Sequence, residues 1–415
     1  MKSFIIPFAC LFLTVCVYIQ AAESELNDKT SFPMAAEGVR LIPLDSKPTL
    51  EQIHRSIGHA TRYLIEKQNP KGTWGSARNT KNLNIYAPES SHDGFLAGTT
   101  ALGLAALLET EALLKNKSAS VKAEDCGIDP GVLAKTINKG EEWVLGNFPK
   151  LRRSSSDAIY NIWGHAYGLQ ALVRMLDRFP DDETRCEKIR AAIREQIGYI
   201  ERFECLDGGW CYYDFNHKMQ KIAGSPCSFV SATVLLALWE AKQRGVDVPQ
   251  RIIDRALASN LRQRYPDFSY AYGEYLRMSP MRGINRPPGS LARSHSCNLA
   301  ARHWGDKDVT DEVLQNWLNR MFSRNGWLDI GRKRPIPHES YAQVAGYFYY
   351  YGVFYAAFCI EELPQEERGP YQDHLASLLI ERQGTDGSWF DYPLYDYGHA
   401  YATGYGLMAL LRALP

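Results

Sequence analysis

Residues 383–389 read Gln383-Gly-Thr-Asp-Gly-Ser-Trp389 and residues 68–74 read Gln68-Asn-Pro-Lys-Gly-Thr-Trp74, one QxxxGxW pattern at two distant places in a chain of 415 residues. A third copy, Glu204 to Trp210, keeps Gly208 and Trp210 and puts glutamate in place of the glutamine. Each copy follows one apolar helical stretch and precedes another. Residues 57–65 lie before the first copy; residues 99–108 come after it and are apolar nearly all round, as a buried helix is. The unit is therefore an outer helix, a turn and an inner helix. Glycine two residues before the tryptophan suits a left-handed residue ending the outer helix, and the tryptophan returns to pack against it.

Weaker copies complete the series. The second unit runs from Glu142-Trp-Val-Leu145 into residues 164–172, the fourth puts Phe268 in the tryptophan's place before a helix over 290–302, and the fifth has Asn325-Gly-Trp327 before a helix over 341–360. The markers recur roughly every 60 residues, so six hairpins account for nearly everything beyond residue 49. Inner helices are expected to begin near residues 93, 160, 228, 292, 340 and 398, with Trp74, Trp210, Trp327 and Trp389 in equivalent turns. An open stack of such units needs polar caps at both ends. The last unit instead ends on Tyr405-Gly-Leu-Met-Ala-Leu-Leu411, as apolar as the interior ones. A closed ring has no exposed end, and the pattern predicts an all-α (α/α)6 toroid over residues 49–415.

The QxxxGxW copies and the phrase Tyr401-Ala-Thr-Gly-Tyr-Gly-Leu-Met-Ala-Leu410 resemble the prenyltransferase and squalene oxidase repeat of terpenoid cyclases and protein prenyltransferase β subunits. The resemblance covers about 360 residues by the six-unit count. It implies the toroid, an aromatic cavity for an apolar or isoprenoid ligand, and a cyclase- or mutase-like isomerase activity; one fold of this kind serves many functions. The motifs specific to each branch are missing. There is no DxDD, whose carboxylates hold one carboxyl as a strong acid, and Asp181-Asp182-Glu183 reads as a polar turn. DCTAE and the complement-type GCGEQ are also absent. Cys227 and His295 resemble two of the prenyltransferase zinc ligands, but Ser225 stands where that site has aspartate, so no metal and no cofactor is expected.

Histidines and carboxylates recur where the inner helices begin: His92-Asp93, Asp157 with Tyr160 and His165, Arg293 with His295, His338-Glu339 with Tyr341, and Asp396 with His399. In a toroid these starts converge at one mouth with the positive ends of the helix dipoles. Capping explains any single acid equally well. Pro335-Ile-Pro-His-Glu-Ser-Tyr341 sets His338 beside Glu339 on a proline-stiffened loop, so His338, Glu339, Asp93 and His399 are the candidate acid/base group. Tyr347, Tyr350, Tyr351, Tyr401, Tyr405, Trp163, His165 and Phe229 are the expected cavity wall, in a chain whose 24 tyrosines are its compositional outlier.

Lysine plus arginine and aspartate plus glutamate both number 47, so overall charge draws the chain to neither nucleic acid nor an anionic surface. The expected partners are a small-molecule or lipid ligand and, by peripheral contact, a membrane; the oligomeric state is not legible. Met1, Lys2, an uncharged stretch from Phe4 to Ile19, and Ala21-Ala22 read as a signal peptide over residues 1–22, followed by an extension over 23–48. Lipidation at Cys16 is a lesser alternative, since Val15 fits a lipoprotein site poorly. Export favours a second class, the secreted (α/α)6 carbohydrate-active enzymes, with carboxylates drawn from Asp93, Asp214, Glu339 and Asp396. A third reading is a ring that binds lipid or protein without catalysis. Seven cysteines beyond the leader, scattered singly, form no disulfide framework, though Cys205 and Cys211 bracket one turn and could bridge.

Overall fold

A computed structural model describes residues 39–80, 91–116, 119–214 and 221–415; the expected signal peptide lies outside them. Among the described residues twelve long helices alternate between two concentric layers. The inner layer is α2 (Ser91–Lys115), α4 (Asn161–Arg178), α6 (Ser228–Gln243), α8 (Pro287–His303), α10 (Phe348–Glu361) and α12 (Gly398–Leu411). The outer layer is α1 (Leu50–Lys67), α3 (Pro130–Asn147), α5 (Glu183–Arg202), α7 (Gln250–Gln263), α9 (Asp311–Ser323) and α11 (Gln365–Arg382).

Composition sorts the layers. Inner helices are buried nearly all round, whereas α1 buries Ile53, Ile57, Ala60 and Leu64, a single stripe at helical spacing. Outer helices also carry the start signals: Thr49 and Gln52 form a capping box on α1, and Asp182, from the polar turn, caps α5. Every inner helix packs on its two neighbours and α12 returns against α2, so the ring is closed. Each outer helix packs chiefly on the inner helix before it, α1 taking α12. The tight antiparallel pair is therefore inner then outer. The QxxxGxW segments belong to the longer loops that run back to the inner-helix N-termini.

The repeat is a stitch between units. Trp74, Trp210 and Trp389 are fully buried, and each indole Nε1 donates to a main-chain carbonyl ten residues upstream, Leu64, Ile200 and Leu379, at 2.7, 2.8 and 2.9 Å. Gly72, Gly208 and Gly387 have φ of 90°, 86° and 87°, and a Cβ there would lie 2.3, 2.5 and 2.4 Å from the main-chain oxygens of Lys139, Arg255 and His59 on the next outer helix. In these three copies glycine adopts that backbone without strain and leaves room for that closeness. Gln68 and Gln383 donate to the carbonyls of Thr136 and Ser56, again on the next outer helix. Where Glu204 replaces the glutamine, Arg251 and Arg255 of the next outer helix answer it at 3.1 and 2.7 Å.

Several placements differ from the sequence reading. In the fourth unit Phe268 does not hold the tryptophan's place: it occupies the left-handed glycine position, φ 59°, and fully buried Tyr270 takes the tryptophan's. The main-chain bonds Tyr265 N to Ser269 O and Phe268 N to Tyr265 O repeat those of the other copies. Trp327 is half-buried in a one-turn helix (Gly326–Asp329), so it is not equivalent to Trp74. Helix α8 begins five residues early, because Pro287 and Pro288 fit its first turn. Helix α10 begins at Phe348, eight residues late, because 333–347 is held in a tight irregular loop.

At the far end, where the inner helices finish, every neighbouring pair is linked. Arg174 joins Glu109 and Glu240, Trp239 stacks on His303, His303 meets Glu362, and Arg412 joins Glu361 and Glu109. The arginines also complement the negative helix ends. Burial alone would raise the Glu109 carboxyl, but Arg412 and Arg174 outweigh it and hold it at about 2. The carboxylate therefore stabilises the fold in full above its ordinary pKa, and that contribution declines as pH falls from there and is gone below about 2. Glu109→Gln leaves two arginines short of a partner and is expected to cost about 3 kcal/mol in denaturant unfolding at pH 7. An unchanged midpoint would show that the links add nothing.

Candidate active-site chamber

Above the inner-helix N-termini the ring opens into a cavity of about 440 Å³ walled almost wholly by aromatic rings. Trp163 lies stacked between Tyr167 and Phe229, both at 5.9 Å between centroids. The floor is made by hydrogen bonds across the ring between helices that are not neighbours. The Tyr405 hydroxyl of α12 bonds that of Tyr167 on α4; the Tyr351 hydroxyl of α10 bonds Thr233 and the Phe229 carbonyl of α6, each at 3.1 Å. Beneath it a second, charged cavity of about 730 Å³ opens among the far-end links. The chamber is therefore blind. Burial pushes the phenols of Tyr167, Tyr347, Tyr351, Tyr401 and Tyr405 up, so all are neutral at physiological pH.

Apart from its tyrosines, His338 is the one ionisable side chain of the described wall. Its φ is 63°, Lys333 is at 66°, and Ala342 and Gln343 are both at 58°, four left-handed non-glycine residues in one loop; such strain concentrates at functional sites. Nδ1 lies 2.8 Å from the Gln343 carbonyl and so must donate to it. Nε2 then has a lone pair, which accepts the Tyr347 hydroxyl at 3.2 Å. Burial lowers the imidazole pKa, against the Gln343 bond, and the charges of Arg293 and Arg282 lower it further. The arrangement is a neutral histidine of fixed tautomer, ready to take the phenolic proton of a wall tyrosine as that oxygen receives another.

Asp391 was not legible as a site residue. It is fully buried, accepts from the Tyr401 hydroxyl and, at 3.1 Å, from the Tyr350 N–H. Burial raises its carboxyl to about 7, partly offset by those bonds. Tyr401 lines the chamber, so its hydroxyl has the cavity near its ring and a carboxyl of raised pKa behind it. The available signal was the carboxylate two residues beyond a repeat tryptophan, where the other copies have Ser76 and Tyr212.

Of the wall residues expected from sequence, Tyr347, Tyr351, Tyr401, Tyr405, Trp163 and Phe229 line the cavity. Tyr350 lies behind it, against Tyr349 and Trp389. His165 faces the outer layer, stacked on Tyr199 and bonded to Gln196 at 2.7 Å, and burial brings its pKa to about 4. In the acid/base group only His338 reaches the chamber. Glu339 and Asp93 are exposed; His399 is exposed, stacked on Phe390 at 4.3 Å and bonded to Ser388. Among the described residues no hydrogen bond or ion pair joins any two of these four. Asp214 is buried against Arg153 at 2.9 Å, and Asp396 is paired with Arg78 at 3.0 Å. His295 is buried within α8, its Nδ1 2.9 Å from the Leu291 carbonyl, and no metal-binding group of three is present among the described residues.

Fold and chamber together define an (α/α)6 toroid with a blind aromatic cavity. No family model matches the chain, and no curated protein does. Among solved structures it is similar to a type II terpene cyclase, MstE from Scytonema, at 12% identity over 88% of this chain and 99% of that one, TM-score 0.47. It is likewise similar to an inactive variant of a Salegentibacter α-1,6-mannanase in complex with α-1,6-mannotriose, at 10% identity over 87% and 99%, TM-score 0.50. A family 76 glycoside hydrolase from a bovine Bacteroides thetaiotaomicron strain matches at 11% identity over 87% and 77%, TM-score 0.47. At such identities the likeness is one of fold.

Proposed function

We propose that the chamber binds an apolar ligand of isoprenoid type and that Tyr347 with His338 moves a proton at its wall. The observation that carries this reading is the cavity of about 440 Å³ enclosed by neutral aromatic rings, with its described ionisable group held in one tautomer. Stacked and edge-on rings suit alkene and saturated carbon, and their π faces would favour positive charge developing on a bound ligand. The sugar reading rests on the toroid shared with the mannanases and calls for two carboxylates facing the ligand. The candidates nearest that role are Asp391 behind Tyr401 and Asp214 locked to Arg153. We also propose export through residues 1–22 and a domain boundary near residue 49, which fractionation and limited proteolysis would test.

Thermal denaturation with farnesol and with α-1,6-mannotriose separates the two classes. Farnesol is expected to raise the melting temperature and Trp163→Ala to abolish the rise, because the indole forms the centre of the ring stack. A rise with mannotriose alone would reverse the assignment. Where turnover of an apolar substrate is found, Tyr347→Phe is expected to lower kcat at least 100-fold with little change in KM, since only the hydroxyl is removed.

A further inference from the structure

The four most exposed large apolar side chains among the described residues are Met278, Met281, Tyr341 and Tyr275, at 85, 71, 66 and 63%. All four sit on two loops, 274–286 and 333–341, and the residues that directly follow the second touch the first: the Ile284 N–H donates to Gln343 Oε1 at 3.3 Å, and Gly283 lies against Ala342. Ile336, also exposed, belongs to the second loop. The patch adjoins the chamber, because Tyr275, Pro337 and His338 of the same loops line the cavity. Arg277, Arg282, Arg286, Lys333 and Arg334 are exposed around it, with Glu274 and Glu339 the acids of these segments, and Glu274 is already paired with Arg262 and Arg277.

Scattered apolar residues on a surface need no explanation, but the most exposed ones gathered at one opening do. Flexible methionines and amphipathic tyrosines ringed by arginine match the interfacial zone of a bilayer: apolar side chains enter the acyl boundary while guanidinium groups meet lipid phosphates. We propose that loops 274–286 and 333–341 dock the ring on an anionic lipid surface, with the mouth of the chamber facing the bilayer. This goes beyond the assignment of the cavity's ligand and does not depend on it: the docking face is the outer side of the chamber's lip, sharing Tyr275 with the wall, and its occupant is the membrane surface itself.

Co-sedimentation of the full chain with vesicles of phosphatidylcholine alone, and of phosphatidylcholine with one third phosphatidylglycerol, tests the proposal. Binding is expected to the second kind, to weaken in high salt, and to fall more than about tenfold in Met278→Ser/Met281→Ser, which loses two inserted side chains. Arg282→Gln is expected to weaken it by about fivefold on the anionic vesicles only. Leu206→Ser, an exposed apolar position elsewhere on the ring, is expected to bind like the parent. All three variants alter exposed side chains, so an unchanged melting temperature checks that each is folded. Failure to bind the anionic vesicles, equal binding to both kinds, or undiminished binding by the double methionine variant would each overturn the proposal. So would a methionine-dependent dimer in its place, which would make the patch a contact between two copies.

Discussion

Gly387→Ala is expected to lower the unfolding free energy by about 4 kcal/mol, although it adds a single methyl group. Two costs coincide. The residue sits at φ 87°, where an alanine is strained, and its Cβ would come 2.4 Å from the His59 main-chain oxygen, an atom that can move only if α1 moves. Because α1 and the last unit close the ring, the displacement would also open the junction between the two ends of the chain. Gly198→Ala provides the opposite case. It lies inside α5 with nothing within 4 Å of the new Cβ, and is expected to stabilise by about 0.5–1 kcal/mol through helix propensity alone. Urea unfolding of the two variants side by side measures both; similar midpoints would show that the turn is softer than its contacts suggest.

Stability is expected to rise steeply from pH 4 to pH 6.5. Burial brings His165 and His295 each to about 4 in the folded protein, below the ordinary 6.5. Between those values the unfolded chain takes up protons that the folded one refuses, so each histidine withdraws about 3 kcal/mol as pH falls across the window. Asp391 acts the other way. Its carboxyl is raised to about 7, so the folded state holds a proton that the unfolded state has released, and stability falls as pH climbs from 3.8 towards 7. Two histidines outweigh one aspartate, and His338, His374 and His399, also lowered by burial, add to them in the same direction, so the net gain by pH 6.5 is at least about 3 kcal/mol. In Asp391→Asn the opposing contribution disappears and the gain across the window should grow by about 3 kcal/mol. A variant with the parent's slope would mean that Asp391 is ionised throughout.

The architecture was legible because its governing signals are local and repeated. Gln383, Gly387 and Trp389 fall at fixed spacing, and each has a partner that accounts for its identity: Ser56 and His59 on the next outer helix for the first two, and the Leu379 carbonyl on the preceding one for the tryptophan. The wall tyrosines were legible for a related reason: Tyr347, Tyr351, Tyr401 and Tyr405 recur on inner helices with no outward face. The acid/base group was less so. Placing Asp93, Glu339 and His399 in the chamber assumed that a residue near a helix start points along the ring axis, whereas a first-turn side chain can equally face outwards, as His399 does against Phe390. Position 338 was found through its proline-stiffened loop, yet the loop's four left-handed residues have no marker in the sequence, since none is glycine. Asp391 escaped because its importance comes from Tyr350 and Tyr401, contacts that only the folded chain reveals.

The hydroxyl bonds that cross the ring beneath Trp163 have a bearing on traffic. Since Tyr405 meets Tyr167 and Tyr351 reaches Thr233, nothing can thread through the toroid from one side to the other. Arrival and departure then both take place on the side of the inner-helix N-termini, so whatever leaves must clear that side before the next molecule can enter. A long polymer could present only its terminus, and a compact hydrocarbon would have to fold up inside. Residence time would then depend less on the depth of the chamber than on how readily the loops at its lip move aside.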